Sequence, residues 1–194
     1  MIIYMSDIIC VTNRKLCQED FLTRIDRLAK AHPKGIILRE KDLTEDAYRK
    51  LAEEVLAVCR RYESLCILHT YYHVAAELDH TAIHLPLPVL RSMTSKEKKK
   101  FAILGASCHS AEDAMEAEQL GCTYITAGHV FDTDCKRGVP GRGLAFLKEV
   151  CESVSIPVYA IGGIHNENVH LVREAGAKGV CLMSSAMTGE GILT

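Results

Sequence analysis

At 194 residues the chain has the length of a single domain able to bury a sizeable core. Its 23 Lys and Arg against 25 Asp and Glu leave a net charge of -2, which excludes the basic field of a nucleic-acid binder. No apolar run reaches the length of a membrane span, and the opening "MIIYMSDIICVTNRK" lacks a signal-peptide cleavage site, so a cytoplasmic protein with no membrane partner is expected.

Short apolar, β-branched runs recur at 7–12, 35–40, 65–70, 82–85, 102–107, 123–128, 157–162 and 179–184. Most are apolar on both faces, as parallel strands covered on two sides must be. Helical segments separate them. Phe21, Leu22, Ile25, Leu28 and Ala29 follow a helical period, as do Leu51, Val55, Val58 and Cys59. "SKEKKK" (95–100) reads as a solvated face or loop. Ser110 is placed to cap a helix that Gly121 stops, and Asn166 one that Gly176 stops. Nine cysteines, with no C-x-x-C pair, fit neither a zinc ribbon nor a thioredoxin-type site. Those in "DIICVT", "SLCILH" and "GVCLMS" read as small buried hydrophobes in a reducing compartment.

Eight strands alternating with helices predict an α/β fold, a small (β/α)8 TIM barrel forming one domain over 1–194. An open doubly wound sheet is the alternative, but its glycine-rich first turn is not found. The chain stops at Thr194, soon after the eighth strand. The eighth helix is therefore expected to be missing or truncated, and either a partner subunit in a homo-oligomer or a missing C-terminus would account for that side.

The active site of such a barrel lies at the C-terminal ends of its strands. Strand 2 delivers Arg39 and then Lys41, strand 5 Ser107, strand 6 Gly128-His129, strand 7 Gly162-Gly163 and strand 8 Ser184-Ser185. The turns after strands 7 and 8 are the usual phosphate site, so Gly162, Gly163, Ser184 and Ser185 are expected to bind a phosphate, although "GG" also suits a tight turn and the serines a helix start. Arg39 and Lys41 suit an anion, and Ser107, Thr133 and Lys136 can add substrate contacts. His129 is either a proton carrier or a loop histidine bonded to backbone. In "HTYYHVAAELDHTAIHL" His69 and His73 have i, i+4 spacing, but His69 sits at a strand end and no carboxylate of hard-metal geometry accompanies them, so no metal is expected.

The stretches "ILREKDL" (37–43), "ILGASCHSAEDAMEAEQLGCTYITAGHVFDTDCKRGVPGRGL" (103–144), "IPVYAIGGI" (156–164) and "AGAKGVCLMSS" (175–185) resemble the thiamine phosphate synthase superfamily, and its thiazole tautomerase branch in particular. The resemblance covers most of the chain. Synthases hold magnesium pyrophosphate with an Asn-Asp pair after strand 3 and an Asp in a Gly-Gln-x-Asp segment after strand 4. The matching aspartate positions here are Thr70 and Val89, and the Gly-Gln pair becomes Pro86-Leu87. Neither replacement suits a hard cation. Where synthases commonly have Gly-Pro, this chain has the Gly128-His129 of the tautomerases.

The resemblance thus implies a metal-independent, cofactor-free isomerase of thiamine biosynthesis. It would aromatise a carboxythiazole phosphate, with His129 carrying the proton. A synthase with an altered metal site is the first alternative, and a non-catalytic binder of thiazole or thiamine phosphates the second.

Overall fold

The structure, a computed structural model, describes residues 4–133 and 138–189. Eight strands close into a parallel barrel in chain order: β1 (Ile8–Val11), β2 (Gly35–Leu38), β3 (Cys66–His69), β4 (Ala82–Pro86), β5 (Ile103–Cys108), β6 (Tyr124–Gly128), β7 (Val158–Ile161) and β8 (Gly179–Leu182). The expected (β/α)8 fold is the observed one. Between the strands lie α1 (Phe21–Lys30), α2 (Glu45–Arg61), α3 (Tyr72–Glu77), α4 (Leu87–Ser92), α5 (Ser95–Lys98), α6 (Ala111–Gln119), α7 (Gly143–Ser153) and α8 (Val169–Glu174). Among the described residues β8 is followed by the five-residue α9 (Ser184–Thr188). No helix among the described residues is long and apolar enough to cross a membrane.

The described residues fall into two compact units, 4–84 with 182–189, and 85–181. In the first, β1 to β4 pair in parallel, with Cys10 opposite Ile36, Ile37 opposite Ile67 and His69 opposite His84. Every residue of β1, β2 and β3 is buried, which explains their unbroken apolar sequences. Helix α1 turns Ile25, Leu28 and Ala29 inward and is capped by Asp20, whose carboxylate accepts from the Thr23 amide. It also buries Arg24, whose Nε donates to the Ala186 carbonyl at 2.6 Å and so anchors α9. Helix α2 contributes Tyr48, 1 % exposed. The Tyr48 hydroxyl donates to the Leu38 carbonyl at 2.7 Å and accepts from the His69 amide at 2.7 Å, joining β2 to β3 where both strands end.

In the second unit β5, β6, β7 and β8 pair in parallel, with Ala106 opposite Ile125, Ala127 opposite Ala160 and Ala160 opposite Val180. Tyr124 lies across Gly105, where a Cβ would stand 2.3 Å from its ring, and meets Tyr159 edge-on. Six of the eight described cysteines are buried, and burial pushes the thiols of Cys10, Cys108 and Cys122 up to about 12. They pack as hydrophobes.

Local boundaries differ from the sequence reading in several places. Ser184 and Ser185 do not end a strand: β8 stops at Leu182, and the serines open α9. Asn166 does not cap α8; the helix starts after Asn168, whose side chain is bonded within the β7 turn. "SKEKKK" contains the short helix α5, because Thr94 and Glu97 form a capping box.

Replacing Tyr48 by Phe leaves the Leu38 carbonyl and the His69 amide unpaired in the core. We expect a loss of about 1–3 kcal/mol with no change of fold. Denaturant unfolding of wild type and Tyr48→Phe measures it, and equal midpoints would contradict the bridging role.

Candidate functional site

In the first unit the segment after β2 is ordered by a buried acid. Glu40 is 3 % exposed, and its carboxylate accepts from the Thr12 hydroxyl at 2.7 Å, from the Arg14 amide at 3.0 and 3.2 Å, and from Arg14 Nη1 at 3.0 Å. Thr12 Oγ1 in turn accepts from the Arg39 amide at 2.9 Å. Arg39 is half-buried, with Nη1 4.0 Å from Met183 Sδ, immediately before Ser184; Lys41 is exposed. The structure thus brings Arg39 to the start of α9, where Ser184 is exposed and Ser185 half-buried.

Beside these cations lie two buried imidazoles. His69 and His84 stack with ring centroids 5.9 Å apart, and His69 Nδ1 is 2.7 Å from the Thr70 hydroxyl. Burial lowers the His84 pKa to about 3. Burial also holds His69 well below the usual imidazole range, helped by His84, Arg39 and Lys41. Both rings are therefore neutral at pH 7. His73 is exposed on α3, its ring tilted against that of Tyr72 with centroids 4.0 Å apart. Among the described residues no three His, Cys, Asp or Glu side chains gather to hold a metal ion.

In the second unit the site residues lie at the end of β5 and after β6 and β7. Ser107 is half-buried, and Thr126 Oγ1 lies 3.5 Å from its hydroxyl. His109 Nδ1 is 2.8 Å from the Gly128 carbonyl. His129 is 4 % exposed; its Nε2 is 3.1 Å from the Val139 carbonyl, and its Nδ1 is buried with no hydrogen-bond partner. A carbonyl only accepts, so Nε2 is the donor of that contact. The backbone contact fits a loop histidine: one nitrogen is used by the fold and the other has no partner. Thr133 is half-buried in the same loop, and Lys136 lies outside the described residues.

Gly162 and Gly163 have φ of +103° and +63°. A Cβ on Gly162 would stand 2.3 Å from His129 Cβ, and one on Gly163 2.3 Å from the Asp132 carbonyl oxygen. The Val130 and Phe131 amides donate to the Ile161 and Gly162 carbonyls at 2.9 and 3.1 Å. The glycine pair therefore lets the β6 loop lie directly on the β7 turn. Asn168 Nδ2 fixes that turn by donating to the Gly163 carbonyl at 2.8 Å. Asn168, Thr12 and Glu40 escaped the sequence reading, since each acts on a neighbouring backbone segment far away in the chain or across a turn. Glu40 alone left a trace, as the acid between two cations in "REK".

Two imidazoles that bind protons weakly when folded make the unfolded chain the better proton binder. Stability is then full above the ordinary imidazole value of ~6.5 and falls as pH drops toward the folded values, by ~1.4 kcal/mol per pH unit for each ring. Denaturant unfolding at about pH 7 and about pH 5 is expected to show this loss, with a shallower slope in His84→Gln. A His84→Gln slope as steep as wild type would contradict it.

The family model described as thiamine monophosphate synthase matches residues 8–186. The "Thiamine-phosphate synthase" of Fusobacterium nucleatum is 33% identical over 92% of this chain and 87% of its own. The "Thiamine-phosphate synthase 2" of Streptococcus pneumoniae is 32% identical over 94% and 88%. A solved structure, "Thiamine phosphate pyrophosphorylase" from Pyrococcus furiosus, superposes with a TM-score of 0.80 at 29% identity, over 97% of this chain and 91% of that one. These relatives overturn the expectation of an isomerase that aromatises a thiazole: they carry the names of synthases, which are transferases, and the histidine after β6 does not outweigh similarity over the whole chain. The chain belongs to the thiamine monophosphate synthase family.

Proposed function

We propose that the chain is a thiamine-phosphate synthase with an altered metal site. It joins a thiazole phosphate to a pyrimidine carried on pyrophosphate: a carbon–nitrogen bond forms between the rings, the carbon–oxygen bond to pyrophosphate breaks, and pyrophosphate leaves with the electron pair. The observation that carries this reading is identity of 31% or more to curated synthases over more than 90% of the chain.

The residues present do not fit the magnesium that the synthases hold. Thr70 offers a single hydroxyl, already 2.7 Å from His69 Nδ1, and Val89 offers only methyl groups. The carboxylates near the end of β2 are engaged, Glu40 with Thr12 and Arg14, Asp42 with Arg14 and Lys15. A hard cation prefers carboxylate oxygen, and two neutral imidazoles do not replace it.

The leaving group is therefore assigned to cations of the chain. Arg39 and Lys41 face the negative charge that grows on pyrophosphate as the bond breaks, which is electrostatic stabilisation by groups already in place. His69 and His84, kept neutral, present imidazole edges without adding charge. Within the second unit Gly162 and Gly163 are the proposed phosphate contacts, with Ser107 and Thr133 as further substrate contacts; within the first unit Ser184 and Ser185 are proposed as phosphate donors. His129 Nδ1, which has no hydrogen-bond partner in the protein, is proposed as a further polar contact to substrate. The weak metal set favours a second reading, a protein that binds these phosphates without turnover.

Supplying both substrates and following pyrophosphate release, with magnesium and with EDTA, separates the readings. Thiamine phosphate is expected to form in both conditions, with turnover lost in Arg39→Ala. Turnover only with magnesium would contradict the cation assignment, and binding with no turnover in either condition would contradict the transferase.

A further inference from the structure

The segment Arg39–Asp42 alternates cation and acid, and the two kinds of side chain have different neighbours. Glu40 and Asp42 both bond to Arg14: Nη1 reaches Glu40 at 3.0 Å, and Nη1 and Nη2 take the two Asp42 oxygens at 2.7 and 2.8 Å. Lys15 Nζ adds a 3.0 Å contact to Asp42, and Thr12 ties Glu40 to the Arg39 amide. Arg39 and Lys41 both act on His69 instead, as positive charges that help to hold its pKa down.

A fork of guanidinium hydrogen bonds fixes orientation as well as distance. The side chains of Glu40 and Asp42 cannot leave Arg14 without breaking charged hydrogen bonds. The backbone between them is then held in one conformation, and the cations that flank Glu40 are held beside His69. The hydrogen bonds of Arg14 to Asp42 also keep that carboxyl below the usual carboxylate range, so the clamp stays ionised in mild acid.

We propose that Arg14, through its clamp on Glu40 and Asp42, is a positioning residue that sets Arg39 and Lys41 for the pyrophosphate group of the substrate. Arg14 does not touch the substrate itself. The inference rests on the assignment of Arg39 and Lys41 to pyrophosphate made above.

The test is calorimetric binding of inorganic pyrophosphate to five proteins: wild type, Arg39→Ala, Arg14→Ala, the double variant and Asp42→Asn. Thermal melts establish that each is folded, and Asp42→Asn, at a partly exposed carboxylate, opens the clamp by a second route. Arg14→Ala is expected to weaken binding about tenfold, the size of a lost or misplaced charged hydrogen bond, and to have a much smaller effect in the Arg39→Ala background. Asp42→Asn should weaken binding in the same direction.

Wild-type affinity in Arg14→Ala would overturn the clamp. So would an equal loss in both backgrounds, because Arg14 would then act on the anion directly. If Arg39→Ala binds as wild type does, the assignment of the cations fails first and takes the clamp with it.

Discussion

A carboxylate moved out of water must have its hydrogen bonds replaced, and the end of β2 is built around that requirement. Glu40 meets it with the Thr12 hydroxyl, the Arg14 amide and the Arg14 guanidinium. The same threonine receives the Arg39 amide, so one buried acid joins the end of β1 to the end of β2. Tyr48 repeats the device between β2 and β3 with a single hydroxyl. These ties convert strand ends, where ladder hydrogen bonds run out, into fixed points from which Arg39, Lys41 and His69 are presented.

The second unit reaches rigidity by other means. Glycines without side chains let the β6 loop and the β7 turn share backbone hydrogen bonds, and Asn168 locks the turn from below. A phosphate-binding role for Gly162 and Gly163 and this packing role require the same residue type, since both need the backbone to be approached closely. His129 is held by one nitrogen for structure, with the other buried and unpartnered. The chemistry proposed for the chain draws on cations, backbone and neutral imidazoles.

The barrel was legible because its strands are apolar on both faces and its helices are not. Runs such as "GIIL" and "VYAI" suit strands covered on both sides, as those of a parallel sheet between helices are. The positions of Arg39, Ser107, His129 and the glycine pair at strand ends followed from the same pattern. What escaped was whatever depended on a long-range partner. Glu40 reads as a surface charge until Thr12 and Arg14 are placed beside it, and Asn168 reads as one more helix residue until its amide meets Gly163. The branch was misjudged for a related reason. Two lost aspartates and one gained histidine are local differences, whereas similarity to synthases extends over more than nine-tenths of the chain.

The central claim is that the donors among the described residues hold no hard divalent cation. Titration of Mn2+ against the substrate-free protein, with the free ion counted by its electron paramagnetic resonance signal, tests this without any turnover. The account predicts that the ion stays in solution. A tight stoichiometric site on the protein would contradict it and return the pyrophosphate to a bound metal.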